Sequence, residues 1–267
     1  MRTRYDRILL RLLKNSLIRE LSFRGHFIVN VVSELLWVGM LLVFIKVIFR
    51  ATPEVRGWSE HQYLFLMGTH MLVTSLFQAF FFQNCWRVTH LVRTGDLDFV
   101  LLRPANTQFL LSFDRINYSA LASVPVGIAL CTHAVLAEGR VVSPGQVGLF
   151  MLLILAGIVT LYSLLFMFSI TSIWLIRQTG VDHLWFYAVN LARYPAEIYK
   201  QFAGGALWFA LVFIAPLLMV ANLPANVVVR VAQPFMIVYF VVASVVLLGI
   251  SSVVFRLALR SYRSASS

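Results

Sequence analysis

The chain has 267 residues, of which 60% are hydrophobic and only 12% are charged, whereas soluble domains carry about 25% charged residues. This composition excludes a soluble protein and indicates an integral membrane protein. The net charge of +11 then reflects topology, because basic residues retain loops on the cytoplasmic side, and we predict no nucleic-acid partner.

The first 26 residues precede any long apolar run. Within residues 4–22, leucines recur at helical spacing and basic side chains form a second stripe. This pattern predicts an amphipathic helix in the inner interface of the membrane, although a solvated basic tail has the same composition. The first apolar run begins near Phe27, which is too late for a cleavable signal peptide.

Six later runs are long enough to cross the hydrocarbon core, which takes about 20 apolar residues. We therefore predict an all-α, polytopic membrane protein with six transmembrane helices and an N-terminal interfacial amphipathic helix. The whole chain, 1–267, is predicted to form one domain, with a six-span bundle over 27–257 and a cytoplasmic tail over 258–267. Disorder is expected for the last, polar residues of that tail, SYRSASS. The predicted spans are about 27–49, 62–84, 116–137, 147–176, 203–221 and 235–257.

Orientation follows from the distribution of lysines and arginines. With the amino terminus in the cytoplasm, seventeen basic residues lie inside, among them Arg193 and Lys200, and five lie outside. The positive-inside rule favours this arrangement, so both termini are predicted to be cytoplasmic.

A few polar side chains interrupt the first two predicted spans. Asn30 and Glu34 share one helix face, and His70, Thr74 and Gln78 follow one another at intervals of four residues. Polar groups inside a membrane face protein or water. They are candidates either for the lining of a translocation path or for helix–helix tethers.

Between the last two predicted spans, Pro224 and Pro234 bracket an apolar stretch within residues 221–235. Proline interrupts helices, which favours a re-entrant or surface-dipping segment on the outer side. Cys85 and Cys131 lie in apolar surroundings without metal-ligand spacing, and we interpret both as packing residues.

The sequence carries none of the motifs of a phosphate-binding loop, a zinc protease or a serine hydrolase, so we predict neither an enzyme nor a catalytic or metal site. Ionisable groups within the spans are too few for a proton-coupled carrier. If this protein moves a substrate uphill, the energy comes from a partner.

The segment RTGDLDFVLLRPANTQFLLSFDR, residues 93–115, lies between two predicted spans on the cytoplasmic side. Gly95 can end the preceding helix, while Asp96 and Asp98 suit the first turn of a new one. Arg103-Pro104 closes that helix. The result is a short helix with an apolar ridge, which either lies on the membrane surface or docks into another protein.

Several blocks together resemble the six-span permeases of ABC transporters, specifically the type-2 exporter permeases of the uncharacterised transport-system branch. The resemblance covers nearly the whole chain. The blocks are GWSEHQYLFLMG (57–68), LVRTGDLDFVLLRPANTQF (91–109), ARYPAEIYKQF (192–202), APLLMVANLPA (215–225) and LRSYRSASS (259–267).

The resemblance implies a permease that pairs with a second copy or a sister permease in a prokaryotic cell membrane and binds two ABC ATPase subunits. The chain itself then needs no cofactor, because ATP is bound by the partner. A re-entrant element precedes the last span. The coupling residues that it implies in this sequence are Gly95, Asp96, Leu97, Asp98, Leu101, Arg103 and Pro104.

We therefore expect the transmembrane subunit of an ATP-driven exporter. The alternative is a membrane scaffold that anchors an ATPase or an assembly complex without moving a substrate. The sequence defines neither the transported substrate nor the choice between homodimer and heterodimer.

Overall fold

A computed structural model of the chain describes residues 5–22, 24–175 and 181–262, so part of the predicted tail lies outside the described residues. The described residues are almost entirely helical, which confirms the predicted all-α class. The helices are α1 (Tyr5–Ser22), α2 (Arg24–Ala51), α3 (Glu60–Phe77), α4 (Gln83–Thr94), α5 (Leu97–Leu101), α6 (Thr107–Phe113), α7 (Ser123–Ala137), α8 (Pro144–Ile170), α9 (Val181–Ala192), α10 (Ala206–Phe209), α11 (Met219–Val229) and α12 (Pro234–Ser261).

Five helical stretches of the described chain are long and apolar enough to cross a membrane. Those built on α3 and α8 are largely buried and form the centre of the bundle, whereas α2, α7 and α12 expose most of their side chains at its periphery. The five stretches are Phe27–Ala51, Glu60–Thr94, Ser119–Ala137, Pro144–Ile173 and Pro234–Ser261.

Local sequence explains where the central helices begin. The Ser59 hydroxyl accepts a hydrogen bond from the amide of Gln62 at 3.3 Å and so caps α3. Ser143 and Gln146 form a reciprocal capping box at the start of α8, where Pro144 occupies the first turn. Such caps satisfy amide groups that have no partner within the helix.

Helices α3 and α7 cross at Gly68 and Gly127 with almost no space between their backbones. A Cβ atom added to Gly68 would lie 2.7 Å from the sulfur of Cys131 and 2.8 Å from the carbonyl oxygen of Gly127. Only glycine fits at this crossing. Such close approach stabilises helix pairs in membranes through van der Waals packing.

We expect Gly68→Ala to destabilise the fold by about 1–3 kcal/mol, the usual cost of overpacking a core. Thermal unfolding of the purified protein in detergent measures the change. Gly39→Ala is the matched control, because a Cβ at Gly39 meets nothing within 4 Å. Equal melting temperatures for the two variants would contradict the tight crossing.

The predicted fifth span, 203–221, is where the structure differs from the sequence-based expectation. Two helical stretches, Ala196–Ile214 and Met219–Val229, are bent by 87° relative to each other. Pro216, which lies at the bend, cannot continue the first stretch because it lacks an amide hydrogen. One straight helix therefore does not cross the membrane here.

Both ends of this bent pair lie on the outer side. Glu197 accepts a hydrogen bond from the Trp58 indole at 3.1 Å, and Trp58 belongs to the outer loop between α2 and α3. At the other end, the Val227 carbonyl accepts a bond at 3.1 Å from Gln146, in the first turn of α8. We call residues 196–229 the re-entrant element; it is larger than the segment 221–235 predicted from the prolines.

We infer a further membrane crossing between α8 and the re-entrant element, because α8 ends on the inner side and the re-entrant element begins on the outer side. The structure describes α9 in this part of the chain. Arg193 and Lys200 consequently belong to the outer half, not to the cytoplasmic side as predicted. Fifteen basic residues then remain inside against seven outside, so the positive-inside rule still favours the same orientation.

Pro224 was expected to interrupt the helix, but it lies inside α11. Proline at this position cannot donate to the Val220 carbonyl, four residues earlier. That carbonyl faces α8, where a Cβ on Gly157 would lie 3.1 Å from its oxygen. The helix tolerates the proline because a neighbouring backbone packs closely against the interrupted turn.

The position of Lys200 gives a direct test of this topology. We expect Lys200→Cys to react with a membrane-impermeant maleimide added outside intact cells, because the re-entrant element faces outward. Val141→Cys in the outer α7–α8 loop is the positive control and Arg103→Cys is the inner control. Both native cysteines are buried and keep the background low.

Labelling of Lys200→Cys only after the cells are permeabilised, as expected for Arg103→Cys, would show that the re-entrant assignment is wrong.

Candidate functional site

The central feature of the site is a helical rod that runs from Glu60 to Thr94. Its 35 residues span about 52 Å at 1.5 Å per residue, whereas the hydrocarbon core is about 30 Å thick. The rod begins on the outer side at Ser59, so its inner end, α4, extends into the cytoplasm. The rod therefore connects the cytoplasm to the most buried of the five candidate spans.

A π-helical segment, Gln78–Phe82, interrupts the rod between α3 and α4. The wider turn releases backbone carbonyls from their usual partners, and other groups occupy them. The Ala79 carbonyl accepts from the amide of Asn117 at 2.9 Å. The Phe80 carbonyl accepts from the Asn84 side chain at 2.8 Å.

Asn84, which is only 1% exposed, joins the rod to the chain that follows α6. Its side-chain nitrogen donates to the Arg115 carbonyl at 2.6 Å, and its oxygen accepts from the Arg115 amide at 2.9 Å. One turn further along, Arg87 forms an ion pair with Asp114. These contacts form a clamp that fixes the cytoplasmic helices α5 and α6 to the rod.

We expect Asn84→Leu to destabilise the protein by about 1–3 kcal/mol, because it leaves buried backbone groups without partners. Thermal unfolding and the protease sensitivity of residues 95–118 measure the loss. Gln83→Leu is the control, since Gln83 is the exposed neighbour on the same helix. If Asn84→Leu unfolds like Gln83→Leu, the clamp does not hold these helices.

The predicted short cytoplasmic helix is present as α5. Gly95 ends α4 with a left-handed φ of 79°, a conformation that glycine adopts without strain. Asp96 does not cap α5 with its side chain, as its position suggested. Its carboxylate accepts a hydrogen bond at 2.7 Å from Thr94 instead, and so supports the turn.

The apolar ridge of α5 faces the protein's own interior. Leu97 is 0% exposed and Val100 is buried, while Leu101 is partly buried against the core. Leu97 therefore contacts no partner in this conformation, although the resemblance implied it among the coupling residues. Its burial anchors α5 on the rod.

The opposite face of α5 is apolar and exposed. Phe99 is 66% exposed and Leu102 is 81% exposed, and Arg103 and Pro104 beside them are also exposed. A soluble surface seldom groups large apolar side chains without a partner. This face, formed by residues 99 and 102–104, is called the outward face of α5.

The carboxyl end of α12 lies beside α5. Burial, together with the nearby Asp98 carboxylate, raises the pKa of the Tyr262 hydroxyl above its usual value. Trp174, beyond the inner end of α8, donates to Ser261 at 2.9 Å. The inner ends of α8, α12 and the rod thus meet around α5.

The amphipathic helix α1 is present and packs against the cytoplasmic unit, by which we mean α5, α6 and the chain that follows α6 as far as Tyr118. The Ser16 hydroxyl accepts from the amide of Ile116 at 3.2 Å, and Tyr118 donates to the Leu13 carbonyl at 3.0 Å. Tyr5 packs edge-on against Phe109, with ring centroids 5.1 Å apart. These contacts argue against a purely solvated tail.

The predicted path residues lie in different parts of the bundle. Glu34 accepts from Ser123 at 2.8 Å and ties α2 to the start of α7. His70 donates from Nε2 to the Val189 carbonyl of α9 at 3.0 Å, and Thr74 donates to the His70 carbonyl at 2.8 Å. Asn30, on α2, and Gln78, at the start of the π-helical segment, are partly buried.

The Glu34 and His70 contacts are those of helix–helix tethers in the described conformation, whereas the Thr74 bond lies within α3. The assignment of a translocation path remains a prediction. Within the described residues, no group of three or more His, Cys, Asp or Glu side chains is placed to hold a metal ion.

Sequence reasoning missed a cluster on the outer side, formed by Trp58, Glu197 and Arg230. Trp58 is completely buried; the Arg230 guanidinium lies 4.9 Å from the centre of its ring and 3.4 Å from the Glu197 carboxylate. The cluster closes the re-entrant element against the α2–α3 loop. No local pattern signals it, because its members are far apart in the chain.

Comparison with known families finds that residues 35–266 match the family described as ABC-2 family transporter protein. The match covers most of the chain, including all helices from the middle of α2 onward. No curated protein and no solved structure matches significantly.

Proposed function

We propose, from the premise that this chain belongs to the ABC-2 family of transporter proteins, that it is the membrane subunit of an ATP-driven exporter. Separate ABC ATPase subunits bind and hydrolyse the ATP, and they dock on the cytoplasmic segment 95–104. The protein works in a prokaryotic cell membrane, paired with a second copy or a sister permease.

The observation that carries this proposal is the two-faced character of α5. Its inner face is fixed to the rod by Leu97 and Val100, while its outward face presents Phe99 and Leu102. A helix that only covered the bundle would need no exposed apolar face. Large apolar side chains that enter a cleft are the usual energetic anchors of a protein interface.

The coupling residues implied by the family then divide into two groups. Gly95, Asp96, Leu97 and Leu101 position the helix: Gly95 and Asp96 form the turn, and the two leucines hold it on the bundle. Arg103 and Pro104 lie on the outward face, where a charge sets orientation more than affinity. Asp98 belongs to neither group, because its carboxylate lies beside the Tyr262 hydroxyl at the end of α12.

The clamp explains how docking becomes movement. When ATP binding closes the ATPase pair, α5 moves with the cleft that holds it, and the Asn84 clamp passes this displacement to the rod. The rod contacts α2, α7, α8 and α11. A ligand shifts such an equilibrium only through contacts that differ between the two states, and the outward face of α5 supplies them.

We expect Phe99→Asp combined with Leu102→Asp to lower the recovery of the ATPase more than tenfold, because interface anchors are worth 2 kcal/mol or more. The measurement is a pull-down from solubilised native membranes, with ATP hydrolysis assayed in the eluate. Val141→Asp is the matched control, since Val141 is 93% exposed but lies in the outer α7–α8 loop.

Leu97→Asp has a different expected result: it lowers the yield of folded permease, because it buries a charge. Retention of the ATPase by the Phe99/Leu102 variant at equal permease yield would show that the outward face is not the docking surface. A scaffold would also retain an ATPase. In a transporter, adding ATP must in addition change the labelling of Gln78→Cys, whereas in a scaffold it does not.

A further inference from the structure

A pocket of about 360 Å³ lies between the two arms of the re-entrant element and the start of α12. We call it the outer pocket. Its volume falls within the usual range of small-molecule sites, about 300–1,000 Å³. It lies next to the cluster of Trp58, Glu197 and Arg230, and therefore at the outer end of the bundle. It is separate from the cytoplasmic coupling segment.

Some polar groups of the pocket wall are already used within the protein. Glu197 is paired with Arg230 at 3.4 Å. Asn222 donates to the Tyr194 carbonyl at 3.1 Å and accepts from the Ala196 amide at 3.0 Å. These side chains stabilise the walls of the pocket. A ligand would have to be recognised by other lining residues.

Three lining groups are not committed to a hydrogen bond or an ion pair within the described protein. The Lys200 ammonium lies 5.0 Å from the centre of the Trp208 ring and forms no ion pair within the described residues. The side-chain oxygen of Asn226 is buried and has no hydrogen-bond partner there, and the Gln233 side chain is exposed. Lys200 offers a ligand a positive charge, the Asn226 oxygen offers a hydrogen-bond acceptor without a donor, and Gln233 offers a side-chain amide.

The charge near the pocket favours an anion. Lys200 lines the pocket, Arg230 is paired with the lining residue Glu197, and Arg56 is hydrogen-bonded to Gln201, the residue after Lys200. Glu197 is the one carboxylate among the lining residues, and Arg230 neutralises it. An unpaired lysine in a pocket attracts a phosphate as a point charge.

The rest of the wall is apolar and leads into the membrane. Val212, Met219 and Met236 line the floor of the pocket, and methionine adapts to chains of varied shape. Phe209 and Ile214 on the first arm are large, apolar and exposed, and exposed apolar side chains of a membrane protein suit contact with lipid. A ligand can therefore combine a polar head in the pocket with an apolar tail in the lipid.

We propose that the outer pocket binds the headgroup of an anionic, hydroxyl-bearing lipid of the outer leaflet, such as phosphatidylglycerol. The phosphate lies against Lys200, and a glycerol hydroxyl donates to the Asn226 oxygen. The acyl chains follow the methionine floor into the bilayer. This site is independent of the coupling proposal, and no ATPase is needed to test it.

Native mass spectrometry of the full chain in detergent, titrated with palmitoyl-oleoyl phosphatidylglycerol, gives the affinity. We expect Lys200→Gln to weaken binding about tenfold, since a charge-assisted hydrogen bond is lost. Lys46→Gln, at an exposed lysine near the outer end of α2, is the matched control and leaves the affinity unchanged.

Asn226→Leu separates a ligand-binding role from a structural one. The Asn226 oxygen has no partner within the described protein, so replacing it with an apolar group of similar size leaves the melting temperature of the lipid-free protein unchanged or higher. Phosphatidylglycerol binding nevertheless weakens several-fold. A variant that unfolds more easily would show that Asn226 supports the fold, and would overturn its assignment to the ligand.

The choice of ligand is tested with two further probes. Palmitoyl-oleoyl phosphatidylcholine, whose headgroup has no net charge and no hydroxyl, is expected to bind at least tenfold more weakly. Glycerol 3-phosphate, which has the head but no tail, is expected to bind weakly as well. Equal affinity for phosphatidylcholine would overturn the anionic site, and equal affinity for glycerol 3-phosphate would overturn a lipid ligand.

Discussion

The hydrogen bonds of Asn84 join the cytoplasmic unit to the membrane bundle, and the architecture of the inner half depends on them. A hydrocarbon environment offers no partners to a backbone that leaves helical geometry. The π-helical segment 78–82 exposes carbonyls that have to be satisfied, and the amides of Asn84 and Asn117 satisfy them. Asn84 also forms hydrogen bonds to the backbone of Arg115, in the chain that follows α6. The π-helical segment and the attachment of the cytoplasmic helices therefore depend on the same side chain.

Asn222 performs the corresponding task on the outer side. It is buried on α11, and its amide holds the backbone of residues 194 and 196, where the chain enters the re-entrant element. Each asparagine offers both a donor and an acceptor to a stretch of backbone that is not helical. At both ends of the molecule, a buried asparagine amide thus forms hydrogen bonds to non-helical backbone. In the middle, apolar packing around Gly68 and Gly157 stabilises the bundle.

Hydropathy was sufficient for the class of fold and for the long spans, because 20 apolar residues have few alternatives in a membrane protein. Gly95 and Arg103-Pro104 similarly delimit α5 through backbone constraints that act locally. Composition could not reveal the reversal at Pro216, because the mean hydropathy of an apolar stretch is the same whether the chain crosses the membrane or turns back. Nor could the sequence pattern of α5 show whether its apolar ridge packs against a partner protein or against the protein's own rod. Leu97 belongs to an apolar face in either case.

The π-helical segment also sets the rotational phase of everything that follows it. An α-helix turns by about 100° per residue, so the wider turn at 78–82 shifts the faces of α4 relative to those of α3. The stripe that packs α3 into the bundle is therefore not the stripe that presents Arg87 to Asp114. Loss of one residue from this turn would rotate α4 as a whole, leaving each of its side chains intact but aimed at the wrong neighbour. The number of residues in this π-helical turn, rather than their identity, therefore determines which neighbours the side chains of α4 contact.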